Sequence, residues 1–239
     1  SSAQVLAYVR ALAQNGPATP LKEGGFRNTP DYVRAVAVFQ RLGSEFGEGQ
    51  SAYVPRAKNW LKSITSPAVQ VHVGEAFLPD SIIQFQAGWR NTSEVTFNLY
   101  AVTLVEDARF GSQGWEHGLD VTGRPKLKTW SRKIEDKHDY QPTSETITLD
   151  EKLAPGAYVI ELATGDQTAR DLLLVSDATL VLRTSPTQAL AYVCDVVRGA
   201  PLANAAVVVW EYYDQRIDDK TTRYAHKLTA TTDDSGLAR

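Results

Sequence analysis

The 239-residue sequence contains no methionine, a single cysteine and no long apolar run. One cysteine excludes a disulfide within the chain and any zinc site built from cysteine pairs. A helix that spans a bilayer needs about 20 consecutive apolar residues, so no membrane span is predicted. The 25 Lys and Arg residues are outnumbered by 28 Asp and Glu residues, and the net charge is −3. This balance lacks the basic surplus that phosphate backbones attract and disfavours nucleic-acid binding.

The composition is that of a globular chain, because 43% of the residues are hydrophobic and 22% are charged. The length fits one or two domains with a sizeable core. The first residue is not methionine, and residues 235–239 have the pattern of a turn followed by the first step of a strand. We therefore expect a fragment of a longer protein that carries no targeting signal of its own.

Residues 1–66 have apolar residues at helical spacing. The first helix is predicted to start at Ser1, whose spacing to Gln4 is that of a capping box. It should end before Pro17, because Asn-Gly-Pro stops a helix. Its apolar stripe consists of Val5, Leu6, Val9, Leu12 and Ala13.

Two further helices are predicted in this segment. Thr29 is expected to cap the second, with Pro30 in the first helical position and Asp31 in the first turn. Pro55 opens the third helix, and Pro67 forbids its continuation. The predicted apolar faces are Tyr32, Val36, Phe39, Leu42 and Phe46 in the second helix, and Ala57, Trp60, Leu61 and Ile64 in the third.

At residue 67 the apolar residues begin to alternate with polar ones, which is typical of half-buried strands. Residues 106–143 break this rhythm with many charges and few aliphatic side chains. We expect a protruding functional loop or a partly disordered insertion there, with a short strand at 130–134. The other predicted strands are 69–73, 83–87, 95–99, 146–149, 158–163, 172–175, 180–183, 189–196, 206–211 and 224–231.

Short strands with no helices between them predict antiparallel sandwiches of immunoglobulin-like or fibronectin-like type, not parallel α/β units. The predicted fold class is therefore mainly β with an α-helical N-terminal segment. We predict a helical segment at 1–66, a first sandwich at 67–184 and a second sandwich at 185–239. The second sandwich is expected to be truncated at its C-terminus.

Signatures of common catalytic sites are absent from the sequence. It has no Gly-x-Ser-x-Gly elbow, no glycine-rich phosphate loop with lysine and no His-Glu-x-x-His. His117 beside Glu116, and His138 between Asp136 and Asp139, are candidate metal ligands, although surface polar residues are the favoured interpretation because no third ligand converges. The four histidines are scattered over different predicted elements: His72, His117, His138 and His226.

Three further features are predicted to be structural. Cys194 lies in a predicted strand beside Asp195, so a buried small hydrophobe is favoured over a nucleophile. Residues 231–236 resemble a calcium loop but lack its distal glutamate, which favours a turn. Asn91-Thr92-Ser93 fits a glycosylation acceptor in a secreted eukaryotic protein and otherwise forms a turn. We assign no catalytic, cofactor-binding or metal-binding residue and expect no enzyme.

Three segments in fixed order carry a family resemblance. The first is 64–71 (Ile-Thr-Ser-Pro-Ala-Val-Gln-Val), followed by Phe77-Leu78-Pro79 and Trp89-Arg90-Asn91. The second is 153–160 (Leu-Ala-Pro-Gly-Ala-Tyr-Val-Ile), followed by Val175-Ser176-Asp177. The third is 198–207 (Arg-Gly-Ala-Pro-Leu-Ala-Asn-Ala-Ala-Val), followed by 232–237 (Thr-Asp-Asp-Ser-Gly-Leu). Together they resemble the N-terminal region of large bacterial proteins of the alpha-2-macroglobulin family. The resemblance covers about residues 53–239 and leaves the role of 1–52 open.

The resemblance implies macroglobulin-like β-sandwiches that belong to a broad-spectrum endopeptidase inhibitor. Members of this family trap proteases by rearranging when a bait segment is cut, and many carry a thioester in a Cys-Gly-Glu-Gln motif. Cys194 is followed by Asp195, so no thioester chemistry is assigned. The implied partners are proteases, through the full-length parent, and neighbouring domains of the same chain. The implied location is the periplasm, the cell envelope or the extracellular space. No cofactor is implied.

Two alternative functions are open. The chain would serve as an adhesin or surface-array module if further tandem sandwiches follow without a bait. It would serve as a substrate-binding module of a larger secreted protein if a catalytic domain accompanies it. A protease trap is the leading hypothesis.

Overall fold

A computed structural model describes residues 2–16, 18–47, 49–104, 115–217 and 220–239. It confirms a mainly β chain with an α-helical N-terminal segment. The helices are α1 (Ser2–Asn15), α2 (Tyr32–Glu45) and α3 (Tyr53–Thr65). None of the helices within these ranges is long and apolar enough to cross a membrane.

The strands pair in antiparallel sheets. In chain order they are β1 (Ala18–Pro20), β2 (Phe26–Asn28), β3 (Ala68–His72), β4 (Ile83–Arg90), β5 (Glu94–Val102), β6 (Lys126–Lys133), β7 (Thr143–Leu149), β8 (Gly156–Thr164), β9 (Gln167–Val175), β10 (Ala178–Thr184), β11 (Ala189–Asp195), β12 (Ala206–Ile217), β13 (Lys220–Thr231) and β14 (Leu237–Ala238). The short hairpin β1–β2 lies between α1 and α2.

The helix starts differ in detail from the prediction. Asp31, not Thr29, caps α2, because its carboxylate accepts a hydrogen bond from the Arg34 amide at 3.0 Å. α3 begins at Tyr53, so Pro55 lies inside the first turn, where no amide hydrogen is required. The capping box predicted at Ser1 lies outside the described residues.

The three helices pack around a common apolar core. The face of α1 that enters it contains Tyr8 and Ala11, whereas Val5, Leu6 and Val9 of the predicted stripe are 41–52% exposed. The small Ala11, fully buried, lets α1 approach its neighbours closely. The core residues are Tyr8, Ala11, Ala35, Val36, Phe39, Leu42, Ala57 and Ile64.

The first sandwich packs the sheet β3-β4-β7 against the sheet β6-β5-β8-β9. β4 alternates over 83–87 as predicted. Phe85 of one sheet and Phe97 of the other meet edge to face at 6.1 Å between ring centroids. The shared core includes Ile83, Phe85, Ala87, Val95, Phe97, Leu99, Ile160, Leu162 and Leu173. Two ion pairs close one side of the sandwich. They join β6 to Glu145 of β7 and to Glu151, which follows β7.

The described part of the 106–143 segment belongs to this sandwich. A 3₁₀ turn (Trp115–Gly118) is followed by Leu119 and Val121, which pack on the outer face of the four-stranded sheet. β6 then forms the edge of that sheet, which confirms a strand in this segment and extends it to eight residues. Residues 106–114 lie outside the described residues.

The second group of strands combines the sheet β10-β11-β14 with the long hairpin β12–β13. Its core is small and contains Ala191, Val193, Val207 and Ala238. β10 pairs with β11 through a turn in which the Ser185 amide donates to the Gln188 carbonyl at 2.8 Å. The boundary predicted near Ser185-Pro186 therefore falls within one sheet, because the turn at these residues joins β10 to β11. The division into domains stays a prediction.

Candidate functional site

A row of hydrogen-bonded polar side chains crosses the four strands β6, β5, β8 and β9. Thr129, Asn98, Glu161 and Arg170 are directly paired neighbours on these strands. The Thr129 hydroxyl donates to Asn98 Oδ1 at 2.9 Å, and Asn98 Nδ2 donates to Glu161 Oε1 at 3.0 Å. Arg170 Nε donates to Glu161 Oε2 at 2.6 Å, and the Tyr100 hydroxyl donates to Oε1 at 3.1 Å. Glu161 is thus the acceptor shared by Asn98, Tyr100 and Arg170.

The charges of the row follow from burial and hydrogen bonding. Burial raises the pKa of Glu161, but the hydrogen bonds from Arg170, Asn98 and Tyr100 outweigh it and hold the pKa below its ordinary value. Burial and the negative charge of Glu161 raise the pKa of Tyr100 to about 12. Near neutral pH a carboxylate therefore accepts from a neutral phenol and a guanidinium.

The row is covered on its outer side. Leu119 and Val121 pack against Tyr100 and Val159, and Arg170 Nη1 donates to the Leu119 carbonyl at 3.4 Å. Asn98, Tyr100 and Glu161 are buried, whereas Thr129 at the edge of the row is exposed. Because the centre of the row is shielded from solvent, the geometry suits the coupling of strands rather than access by a substrate.

Asp171 lies on the opposite side of the same strand and gathers two of the histidines. Its carboxylate accepts a hydrogen bond from the Val73 amide at 2.7 Å, and His72 Nδ1 and His117 Nδ1 lie 3.4 and 3.5 Å from its oxygens. His117 Nδ1 is also 2.9 Å from the Arg170 carbonyl. No group of three or more His, Cys, Asp or Glu side chains that could hold a metal ion occurs in the described part of the chain. The cluster therefore ties β3 and the 3₁₀ turn to β9.

The other histidines lie on exposed surfaces. His138 Nδ1 is 3.4 Å from Asp136, and its side chain is 86% exposed. Asp136 and Asp139 each accept a backbone amide two residues ahead, which is the pattern of a polar turn. The side chain of Glu116 lies outside the described residues. His226 is on the exposed hairpin β12–β13.

The remaining sequence candidates have structural roles. Cys194 is a free, buried thiol, as predicted. Asp233 accepts from the Leu237 amide at 3.1 Å, and this bond holds the pKa of Asp233 below its ordinary value. At Gly236 φ is +75°, and a Cβ there would lie 2.6 Å from the Val193 carbonyl oxygen. The turn predicted at 231–236 is confirmed, and glycine is required in it.

Asn91 joins the helical segment to the first sandwich. Its side-chain amide donates to the carbonyls of Ile64 and Ser66 at 2.6 and 3.0 Å, at the C-terminal end of α3. The backbone at Asn91 is left-handed, with φ of +53°, which asparagine tolerates better than most residues. The amide nitrogen of the glycosylation pattern is therefore engaged, and the turn interpretation fits.

Neighbouring contacts strengthen this joint. The Arg90 guanidinium donates to the Ser63 carbonyl and lies over the Tyr32 ring, 5.8 Å from its centroid. Gln141 Nε2 donates to the Pro30 carbonyl at 2.7 Å. Contacts from the end of β4 and from the segment before β7 thus hold the helices against the sandwich.

We expect Asn91→Ala to lower the free energy of unfolding by about 2 kcal/mol, because it strands two carbonyls and disfavours the left-handed backbone. Hydrogen exchange should become faster at the C-terminal end of α3. Asn204→Ala is the matched control, since Asn204 also has a left-handed φ, of +59°, in an exposed turn. Equal effects on α3 exchange for the two variants would contradict a docking role for the Asn91 amide.

The first sandwich connects to the next strands through a short, hydrogen-bonded passage. Ser176 and Asp177 alone separate β9 from β10. The Ser176 amide donates to the Phe77 carbonyl at 2.8 Å, and the Val196 amide donates to the Asp177 carbonyl at 2.9 Å. These two hydrogen bonds fix the passage to Phe77 of the first sandwich and to Val196, which follows β11.

Comparison with known proteins finds only distant structural similarity. No protein-family model matches the chain, and no curated protein matches it. Native alpha-2-macroglobulin from Escherichia coli spanning domains NIE-MG1 is 12% identical with a TM-score of 0.39, over 73% of this chain and 96% of that one. The MG0-NIE-MG1 form is 15% identical with a TM-score of 0.40, over 72% of this chain and 60% of that one. A CARDB domain from Pyrococcus furiosus is 9% identical with a TM-score of 0.29, over 46% of this chain and 88% of that one.

Proposed function

We propose that the chain is a non-catalytic structural segment of a broad-spectrum protease trap of the alpha-2-macroglobulin type. The proposal starts from the three ordered sequence segments that resemble this family. The observation that carries it is the serial arrangement of the helices and the two groups of strands, linked by the Asn91 joint and the passage at Ser176 and Asp177. Short hydrogen-bonded links of this kind suit a shell that must move as connected rigid pieces.

In such a trap the buried row around Glu161 would keep the four-stranded sheet intact while the shell rearranges. The joints would pass the displacement from one sandwich to the next. Proteases would be partners of the whole protein, and neighbouring domains would be partners of this segment. The sequence resemblance supports a location of the whole protein in the periplasm, the cell envelope or the extracellular space.

The test compares the full-length protein with the 239-residue chain. After mixing with an endopeptidase, the full-length protein should block cleavage of a large protein substrate but leave cleavage of a small peptide substrate, since an enclosed protease excludes only large molecules. The isolated chain should block neither. Stoichiometric inhibition by the isolated chain would refute the proposal, because trapping requires the complete shell.

A binding-module function is the second candidate, favoured by one feature of the hairpin β12–β13. Tyr213 and Tyr224 stack at 5.5 Å between ring centroids and are 49% and 38% exposed. Exposed aromatic side chains are common in recognition surfaces. An adhesin or substrate-binding role would be supported if the isolated chain bound a polysaccharide or peptide and Tyr213→Ala abolished the binding.

A further inference from the structure

A groove between α1 and α2 has an apolar floor. Leu6 and Ala7 of α1 face Val38 and Leu42 of α2 across a cavity of about 530 Å³. Leu6 is 50% exposed, and Val9 beside it is 52% exposed. Of the apolar stripe that the sequence predicted on α1, Leu6 and Ala13 line this groove, whereas Leu12 packs against the helical core. An apolar surface of this kind on two packed helices indicates a site for another element.

The rim of the groove is basic. It contains Arg10, Arg34 and Arg41, and the single acid among the lining residues is Glu45, which pairs with Arg41 at 2.5 Å. Arg10 and Arg34 form no ion pair with any residue in the described ranges. Two arginines are thus available to an incoming carboxylate.

The basic charge of the rim is shared by the whole helical segment. The sequences of α1, α2 and α3 contain six Lys and Arg residues and one acid, Glu45. Residues 1–66 contain eight Lys and Arg against four Asp and Glu, whereas the whole chain has a net charge of −3. The helical segment is therefore a basic surface on an acidic chain, which selects for an acidic partner.

We propose that the α1–α2 groove binds an acidic amphipathic helix of a partner protein. The apolar side chains of that helix would lie on Leu6, Ala7 and Val38, and its carboxylates would pair with Arg10 and Arg34. A groove between two packed helices fits a rod, and helix-in-groove recognition uses apolar anchors at positions i, i+3 or i+4, and i+7. α1 has 14 residues and so extends over about 21 Å, which matches a partner helix of three to four turns.

The concave shape favours a helix over the other occupant that a basic apolar surface suits, an anionic membrane. A membrane surface is flat and is bound by a protruding amphipathic face. Here the floor lies between two helices, with arginines on both sides of it. The inference does not depend on the proposed protease-trap function, because it concerns only the surface of the helical segment.

The test uses the 239-residue chain and a fluorescein-labelled peptide of about 15 residues, close to the length at which isolated helices become marginally stable. The peptide carries Leu at i, i+3, i+4 and i+7 positions and Glu on both flanks. Fluorescence anisotropy should show saturable binding that weakens as salt is added. The double variant Arg10→Gln/Arg34→Gln should weaken binding about tenfold, as expected for the loss of two exposed ion pairs.

Matched controls separate the groove from general charge. Arg56→Gln/Lys62→Gln removes the same charge from α3, outside the groove, and should leave the affinity within about twofold. Leu6→Gln, at a half-exposed position, should weaken binding, and a peptide with Lys in place of Glu should not bind. Circular dichroism should show unchanged helix content in every variant.

Several outcomes would overturn the proposal. These are no saturable binding, equal binding of the acidic and basic peptides, and equal weakening by the two double variants. Concentration-dependent dimerisation through Leu6 would assign the groove to a second copy of the chain. Cosedimentation with anionic vesicles, without binding of the acidic peptide, would assign it to a membrane.

Discussion

Replacing Glu161 by alanine is expected to lower the free energy of unfolding by about 3–5 kcal/mol, the range for breaking a buried ion pair by removing one partner. The substitution removes the acceptor shared by Asn98, Tyr100 and Arg170, and two of these donors are almost fully buried. Since a domain is stable by only about 5–15 kcal/mol, the first sandwich should approach its limit of stability. Urea unfolding followed by tryptophan fluorescence measures the loss.

The control for this variant is Glu94→Ala, which removes an exposed carboxylate from β5 of the same sheet and should change stability by less than about 0.5 kcal/mol. The double variant Glu161→Ala/Arg170→Ala should lose less than the sum of the single variants, because it leaves no uncompensated charge. A loss below about 1 kcal/mol for Glu161→Ala would show that the row adds little to stability.

The pH dependence gives an independent check of the same row. The pKa of Glu161 is depressed in the folded state, so its contribution is present above the unfolded pKa of about 4.3 and is lost as the pH falls through the folded pKa. The stability difference between the wild type and Glu161→Ala should therefore shrink on acidification. A difference that stayed constant in acid would assign the effect to packing alone.

The sequence predicted the fold class because its apolar spacing reflects which side chains face a core. Alternation at Ile83, Phe85 and Ala87 matches a strand whose inward positions are buried. The strand predicted at 130–134 is also present, shifted toward the N-terminus, since Trp130 packs on Phe97 inside the sandwich. The spacing of the apolar residues alone was enough to predict these strands, because one face of each strand is buried and the other is not.

The polar row could not be predicted in the same way. Asn98, Glu161 and Arg170 occupy strand positions that alternation assigns to solvent. Leu119 and Val121 fold over that face of the sheet, and Asn98 and Glu161 are buried in it. One signal was present: residues 158–163 form an apolar run interrupted by a single charge, which is typical of a strand covered on both faces.

Two other features depended on tertiary contacts that spacing does not encode. The stripe on α1 was correctly seen as apolar, but Tyr8 and Ala11 fit the helical core better, because the ring of Tyr8 packs on Tyr53 at 5.1 Å between centroids. The docking of Asn91 onto α3 joins residues 25 and 27 positions apart in the chain. A turn pattern predicts the conformation of such a residue but not its partner.

Phe97→Ala is expected to lower the free energy of unfolding by about 3–5 kcal/mol, the range for truncating a fully buried phenylalanine. Phe97 is completely buried, stacks on Trp130 of β6 at 4.9 Å and meets Phe85 of β4 edge to face. Its ring therefore touches both sheets of the sandwich, and a cavity there separates them. Phe26→Ala is the matched control, because Phe26 is 73% exposed and should lose less than about 0.5 kcal/mol. Urea unfolding monitored by tryptophan fluorescence compares the two, and similar losses would mean that the interior between the sheets is not the stabilising core.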